Sequence, residues 1–275
     1  MLSIITAIHN QLPVNRLFWA NLQRYTSSPF ELIIIDNAST DGSADFFESV
    51  GARVIRNPVN YCYPVSQNQG IAVAQGEWLG FLNNDIIVSP RWDRHLMDNM
   101  DANGLDVATC CGVEQLETPE ATRTLKRRWK RIKAVCSLLG INERSLSLMH
   151  RWMYHGDWPD FCERRYRKFH LQAAEGFVGN TVLMRRAALD KIGLWDERIQ
   201  AGDFDLYLRS KKRAASHGDI KPMHIALDTF NHHFIRLTIK ARPPSFADAD
   251  KLIGLGEKWS QEESEWLKQR LGGQE

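Results

Sequence analysis

Apolar and polar positions in the first part of the chain keep changing rhythm between a β-type run and a helix-type repeat. Residues 2–8 are apolar and β-rich and end at His9-Asn10, and Pro13 to Tyr25 then carries Leu17, Phe18, Leu22 and Tyr25 at helical spacing. That predicts strand, loop, helix. The unit repeats. Glu31 to Ile35 is a strand ending in the polar stretch Asp36 to Ser43, Ala44 to Val50 a helix, Ala52 to Ile55 a short strand and Val65 to Gln75 a third helix. Glu77 to Val88, apolar but for Asn83, Asn84 and Asp85, reads as a buried strand with its polar cluster at the C-terminal end. Strands alternating with helices predict parallel βαβ units, hence an α/β fold with a mostly parallel central sheet flanked by helices.

The later pattern is less regular. Ser89-Pro90 predicts a helix start, with Ser as cap and Pro in the first turn, and Trp92, Leu96 and Met100 give that helix an apolar face. Asp106 to Val113 reads as a strand, and Gly176 to Arg186 as a strand leaving a Gly-rich turn. A short helix is expected at Ala187 to Ile192, a strand at His224 to Phe234, and a largely helical tail from Phe246 to Leu271.

Composition adds bounds rather than chemistry. With 275 residues, 43% hydrophobic and 25% charged, the chain is long enough to bury a sizeable core. A net charge of +2 gives no general attraction to nucleic acid, so any basic function has to be local. The start at Met1 to Ile8 has no basic region before it and turns polar too soon for a signal peptide, and no apolar run approaches the roughly 18 residues of a spanning helix. Cys62, Cys110, Cys111, Cys136 and Cys162 form no CxxC pair or metal-ligand spacing, which predicts reduced thiols in a cytoplasmic protein.

Candidate chemistry gathers at strand ends, where loops of an open α/β sheet leave a crevice that helices do not cover. Asp85 is a lone carboxylate there, suited to a divalent ion that keeps several waters and draws other oxygens from a diphosphate. Asn83 to Asp85 also suits a simple turn. Asp36 offers an acceptor to a pyrimidine imide N–H and His9 a face for base stacking, or Asp36 caps its turn and His9 is a surface residue.

Ile33 to Ser43, Asn60 through Asn68-Gln69-Gly70-Ile71, and Gly76 to Asp85 together resemble the signatures of family 2 glycosyltransferases of the GT-A fold. The resemblance covers roughly 2–113 and 174–260. It implies a nucleotide-sugar site at Thr6, Ala7, His9, Asn10, Asp36, Asn60, Asn68, Asn83 and Asn84, and a divalent cation, Mg2+ or Mn2+, at Asp85. Cys62 and Pro64 depart from the family's usual Gly and Ala, and Asn83-Asn84-Asp85 carries one acid only. Gly193 to Arg209 resembles the family's acceptor-side signature, with Gly202 in place of its Glu. It implies acceptor contacts at Gly179, Trp195 and Asp196 and catalytic roles for Asp203 and Asp205, with Asp203 where the family's general base lies; a helix-capping role for both is the plainer alternative. The family often has a metal or diphosphate His in the strand holding His232 and His233. Adjacent strand residues face opposite ways, so at most one of them can serve, and His233 is favoured. Arg236, Lys240 and Arg242 are candidates to cover the diphosphate, and Glu257 to Ser260 resembles the family's Lys-Trp-Gly end motif.

The implied organisation is one catalytic domain over 1–275, with a nucleotide-sugar half (1–113), a basic helical insertion (114–172), an acceptor half (173–245) and a helical tail (246–275). In the insertion, seven of the eleven residues Arg123 to Lys133 are Lys or Arg, while Leu125, Trp129, Ile132, Cys136 and Leu139 recur at helical spacing as far as Gly140. More bases follow at Arg151 and Arg164 to Lys168, among aromatic residues. This face suits peripheral contact with an anionic membrane through 123–168, or a solvated helix whose apolar stripe packs on the core. No nucleic-acid motif accompanies it.

The resemblance implies an inverting transfer from a UDP- or dTDP-sugar to a saccharide or lipid-linked saccharide, of the bacterial surface-polysaccharide type. Two other readings stand beside it. A nucleotidyltransferase would carry a Gly-rich basic loop after the first strand, which Thr6 to Asn10 lacks. A noncatalytic membrane- or polyanion-binding module would explain the acids missing at Asn83 and Gly202.

Overall fold

The computed structural model describes residues 1–136, 140, 142–235 and 244–269. Leu139, Leu271 and the candidate phosphate-covering residues Arg236, Lys240 and Arg242 lie outside the described residues. The strands are β1 (Leu2–Ile8), β2 (Phe30–Asn37), β3 (Arg53–Asn57), β4 (Trp78–Leu82), β5 (Ile86–Ile87), β6 (Val107–Cys111), β7 (Ala173–Glu175), β8 (Thr181–Arg185), β9 (His224–Phe230) and β10 (His232–His233). The helices are α1 (Leu12–Tyr25), α2 (Ser43–Ser49), α3 (Tyr63–Val73), α4 (Trp92–Asn103), α5 (Pro119–Cys136), α6 (Glu143–Met153), α7 (Trp158–Phe169), α8 (Ala188–Ile192), α9 (Gly202–His217), α10 (Leu255–Lys258) and α11 (Gln261–Gln269).

Eight strands form one sheet in the order β3-β2-β1-β4-β8-β6-β9-β7, and β5 and β10 make a separate antiparallel pair. Six of the eight run one way; β8 and β7 oppose them. The α/β class with a mostly parallel sheet is therefore as expected. Both faces of the sheet are covered, which is why its central strands read as continuous apolar runs. Leu2, Ile4 and Ile8 of β1 join Phe18, Leu22, Trp92 and Leu96 on one face, while Ile5 joins Ile33, Ile35, Phe81 and Leu206 on the other.

The insertion packs as the solvated-helix reading predicts. Trp129 and Cys136 of α5, Leu146 and Met149 of α6 and Trp158 of α7 share a core with Phe230, Phe234 and Val113. Among the described residues no helix is long and apolar enough to cross a membrane, and all five cysteines are buried free thiols.

Two local readings are corrected. α4 starts at Trp92, not at Ser89-Pro90, because the Ser89 N–H is committed to Asn231 Oδ1 and its carbonyl accepts the Trp92 N–H across a turn. The tail is broken into a 3-10 turn (Ala249–Lys251), α10 and α11, since Ile253 N–H bonds back to Arg198 and Trp259 is buried against Leu208 instead of continuing a helix.

Candidate active site

The C-terminal ends of β1, β2 and β4 open into a cavity of about 180 Å³ whose lining includes Ala7, His9, Asn60, Tyr61, Asn84 and Phe246. His9 is fixed there, with Nδ1 against the Asn37 carbonyl at 2.6 Å and Nε2 beside Asn10 Nδ2 at 3.2 Å. Asn10 shapes the loop: its Oδ1 accepts the Thr40 N–H and its own N–H donates to Ser39 Oγ. Asn84 Nδ2 donates to Asn15 Oδ1, which ties the end of β4 to α1. Asn60 donates to the Pro244 carbonyl and accepts the Ala247 N–H through its own, so the tail is drawn over the cavity and brings Phe246 into its wall.

Two of the expected donor residues lie behind that wall. Thr6 is fully buried in β1, one residue short of the cavity lining that begins at Ala7 and Ile8. Asp36 is 2% exposed and accepts the Ser39 N–H on both oxygens, the turn-capping arrangement, one residue before the cavity-lining Asn37.

Directly after β4, Asp85 faces β10. Its Oδ1 lies 3.0 Å from His233 Nε2, and His233 Nδ1 meets Glu114 Oε1. Burial by itself lowers the His233 pKa, but the carboxylates of Asp85 and Glu114 outweigh it and hold the imidazole well above its ordinary value. His232 is corrected as a metal candidate. It points the other way, Nδ1 on the Tyr154 hydroxyl at 2.8 Å, packed by Trp129 and Phe234, and burial pushes its pKa well down. Among the described residues no cluster of three or more His, Cys, Asp or Glu forms a metal cage. One carboxylate and one imidazole do fit a hard cation whose remaining ligands are waters and a diphosphate.

Asp203 lies in the first turn of α9. Oδ1 is buried and has no hydrogen-bond partner, and burial pushes the carboxyl up to about 7. A Cβ on Gly179 would come 2.5 Å from Asp203 Oδ2, so only glycine admits the carboxylate there. The Gly179 carbonyl in turn accepts from Asn83 Nδ2 at 3.3 Å, and Asn83 N–H donates to the Asn180 carbonyl. Asn180 Nδ2 donates to Glu114 Oε2. Asp203 is thereby connected through one loop to the Asp85–His233–Glu114 group. Tyr63, its hydroxyl raised well above the ordinary value by burial and by the charge of Asp203, closes the side toward the cavity.

The remaining acceptor-side candidates hold this arrangement rather than face it. Asp205, expected to be catalytic, has no exposed surface; Oδ2 accepts from Arg209 Nε at 2.8 Å and Oδ1 from Trp259 Nε1 and Lys258 Nζ. Asp196 is held by Arg198 and Lys258, and the Arg198 guanidinium keeps it well below the usual carboxylate range. Trp195 is 3% exposed between Tyr63 and Phe81, and Asn68 grips its backbone at both N–H and carbonyl. The departures from the family pattern also meet here. A Cβ at Gly202 would come 3.0 Å from Trp195 Cε3 and 3.4 Å from Pro64 Cγ, so the proline and the indole occupy the room a larger residue would need.

Residues 3–193 match the sequence profile of Glycosyl transferase family 2. The chain belongs to that family. It is 28% identical over 114 residues to the uncharacterized glycosyltransferase EpsJ of Bacillus subtilis, a match covering 40% of this chain and 33% of the relative. It is 28% identical over 171 residues to the uncharacterized glycosyltransferase YibD of Escherichia coli, covering 59% and 48%. These matches span a third to a half of the relatives' length. In fold, the family 2 chain resembles the mannosyltransferase PcManGT from Pyrobaculum calidifontis in complex with GDP-Man and Mn2+ (TM-score 0.54, 13% identity, 91% of this chain and 66% of that one). It also resembles S. aureus TarS 1-349 in complex with UDP-GlcNAc (TM-score 0.53, 15% identity, 84% and 58%). The fold is therefore the GT-A fold.

Several residues of the candidate site were not singled out in the sequence. Glu114 sits at the end of β6 and follows the strand-end rule used for Asp36 and Asp85, applied one residue beyond Val113. Tyr63, Gln200 and Phe246 carry no periodic or charge signal. Gln200 is placed by accepting the Tyr63 N–H at 3.1 Å, and Phe246 only by the return of the tail.

Proposed function

We propose that this family 2 chain transfers a sugar from a nucleoside diphosphate donor, a UDP- or dTDP-sugar, to a hydroxyl of a saccharide or lipid-linked saccharide, with inversion and with Asp203 as general base. The observation that carries the reading is the buried, unpartnered Oδ1 of the half-buried Asp203. An acceptor hydroxyl must lose its proton as it attacks the anomeric carbon, and a base works best when its pKa lies near the working pH. Asp203, pushed up to about 7 by burial, meets that condition, and no cation opposes that shift among the described residues.

The donor is placed with its base in the cavity beside His9 and Asn60, and its diphosphate toward Asp85. Asp85 and His233 are the side chains that would hold Mg2+ or Mn2+ once their shared proton leaves, and the ion would supply positive charge to the departing diphosphate. Glu114 orients His233 through its Nδ1, and Gly179 leaves the space in which Asp203 meets the acceptor hydroxyl. Two structures of like fold were solved with nucleotide sugars, one of them with Mn2+, which is in keeping with this placement.

The test is release of nucleoside diphosphate from a panel of nucleotide sugars, with and without divalent ion and saccharide acceptors. Asp203→Asn should lower transfer by about 100-fold or more while donor binding, followed by thermal stabilisation, persists. Retention of full transfer by that variant would refute the assignment.

A further inference from the structure

Away from the reaction edge, the most unbalanced chemistry lies in a cleft of about 840 Å³ between α5 and α6. Arg127, Arg128 and Arg131 line it from α5 and Arg151 and Trp152 from α6, with His155 after the helix and no carboxylate in the lining. Arg128 is held in place, donating to the Trp152 carbonyl at 2.6 Å and to His155 Nε2 at 2.8 Å. Arg127, Arg131 and Arg151 have no ion-pair partner among the described residues. On neighbouring α7, by contrast, Arg164, Arg165 and Arg167 are paired with Asp160, Glu117 and Glu163.

Unpaired guanidinium groups sharing one concave surface repel each other, and an anion entering between them relieves that repulsion. The guanidinium fork matches phosphate oxygens. The rim is apolar in an unusual way. Trp152 is 45% exposed and Val135 55% exposed, and Val135 lies four residues beyond Arg131 on the same helical face. An exposed indole and an exposed aliphatic side chain beside arginines form the surface that settles into a lipid headgroup layer, whereas a soluble phosphate would need only the charges.

We propose that the α5–α6 cleft seats the phosphate headgroups of an anionic lipid bilayer, with Trp152 and Val135 entering the interface beside it. The seat is independent of the transferase reading, since it uses no residue of the reaction edge.

Cosedimentation of the full chain with phosphatidylcholine vesicles, with and without phosphatidylglycerol, tests this at physiological salt. The chain should sediment only when phosphatidylglycerol is present. Arg127→Ala/Arg131→Ala should bind about 25-fold more weakly, each basic residue near such a surface being worth about fivefold. Trp152→Ala should weaken binding without a change in charge. Arg94→Ala/Lys251→Ala removes the same charge from exposed positions outside the cleft and should bind as the wild type does. The proposal is overturned by equal binding to both vesicles, or by equal losses in the cleft and control pairs. It is also overturned if inorganic pyrophosphate binds while phosphatidylglycerol vesicles do not, which would make the ligand a soluble phosphate. Unchanged melting temperatures establish that each variant folds, and Arg127→Gln/Arg131→Gln replaces the alanine pair if it does not. Donor hydrolysis by the cleft variants should match the wild type, so failure here leaves the assignment of Asp203 standing.

Discussion

Asp203 is held in a state that opposes its own ionisation, and this has a readable signature. Its folded pKa of about 7 exceeds the ordinary aspartate value, so the folded chain favours the protonated carboxyl. The stability this contributes is complete below about pH 4 and is lost as the pH rises through about 7. Asp203→Asn should therefore be more stable than the wild type at pH 8, by about 1–3 kcal/mol after allowing for partial exposure, and no more stable at pH 4. Urea titrations at the two pH values check this. In the wild type, transfer should rise with pH and level off above about 7, the behaviour of a base that must be ionised. Gly179→Ala, whose new methyl would displace Asp203 Oδ2, should lower kcat by about 100-fold with the donor KM nearly unchanged. An unchanged kcat would place the base elsewhere. Asp205, two residues along the same helix, was expected to be catalytic beside Asp203, and only the family resemblance singled out Asp203 as the base. What separates them is the tail, because Lys258 and Trp259 reach back to neutralise Asp205 and leave Asp203 alone.

Among the elements, β1, β2 and β4 were legible because burial on both sheet faces leaves unmistakable apolar runs, and polar residues at their ends mark the candidate edge. The neighbouring histidines were legible too, at the level of alternation: β10 turns His233 to Asp85 and His232 into the aromatic core. The start of α4 was not, since a distant amide, Asn231, claims the Ser89 N–H. Nor was the reason for the family departures, which is a contact between the loop before α9 and the first turn of α3. Gly202→Glu should destabilise the chain by about 1–3 kcal/mol through crowding against Trp195 and Pro64. Adding Pro64→Ala should recover part of that loss, a coupling that a double-mutant cycle of melting curves would measure.

For the molecule as a whole, the insertion shares its core with the sheet, with Trp129 packed on His232 and Phe234 and Lys133 bonded to the Ile235 carbonyl. Deletion of 119–169 should therefore abolish cooperative unfolding, and in the intact chain tryptophan fluorescence and circular dichroism should report one coincident transition. Two separated transitions would mark the insertion as a domain of its own. The apolar stripe of α5 was legible at helical spacing, but not its partners, which lie about a hundred residues away at β9, β10 and Phe234. The candidate site is assembled from His9, Asp85, Glu114, Asp203, His233 and Phe246, which come from widely separated stretches of the polypeptide. A nascent chain must therefore emerge past Phe246 before this edge is complete, and a product that stops short of it lacks one wall of the cavity.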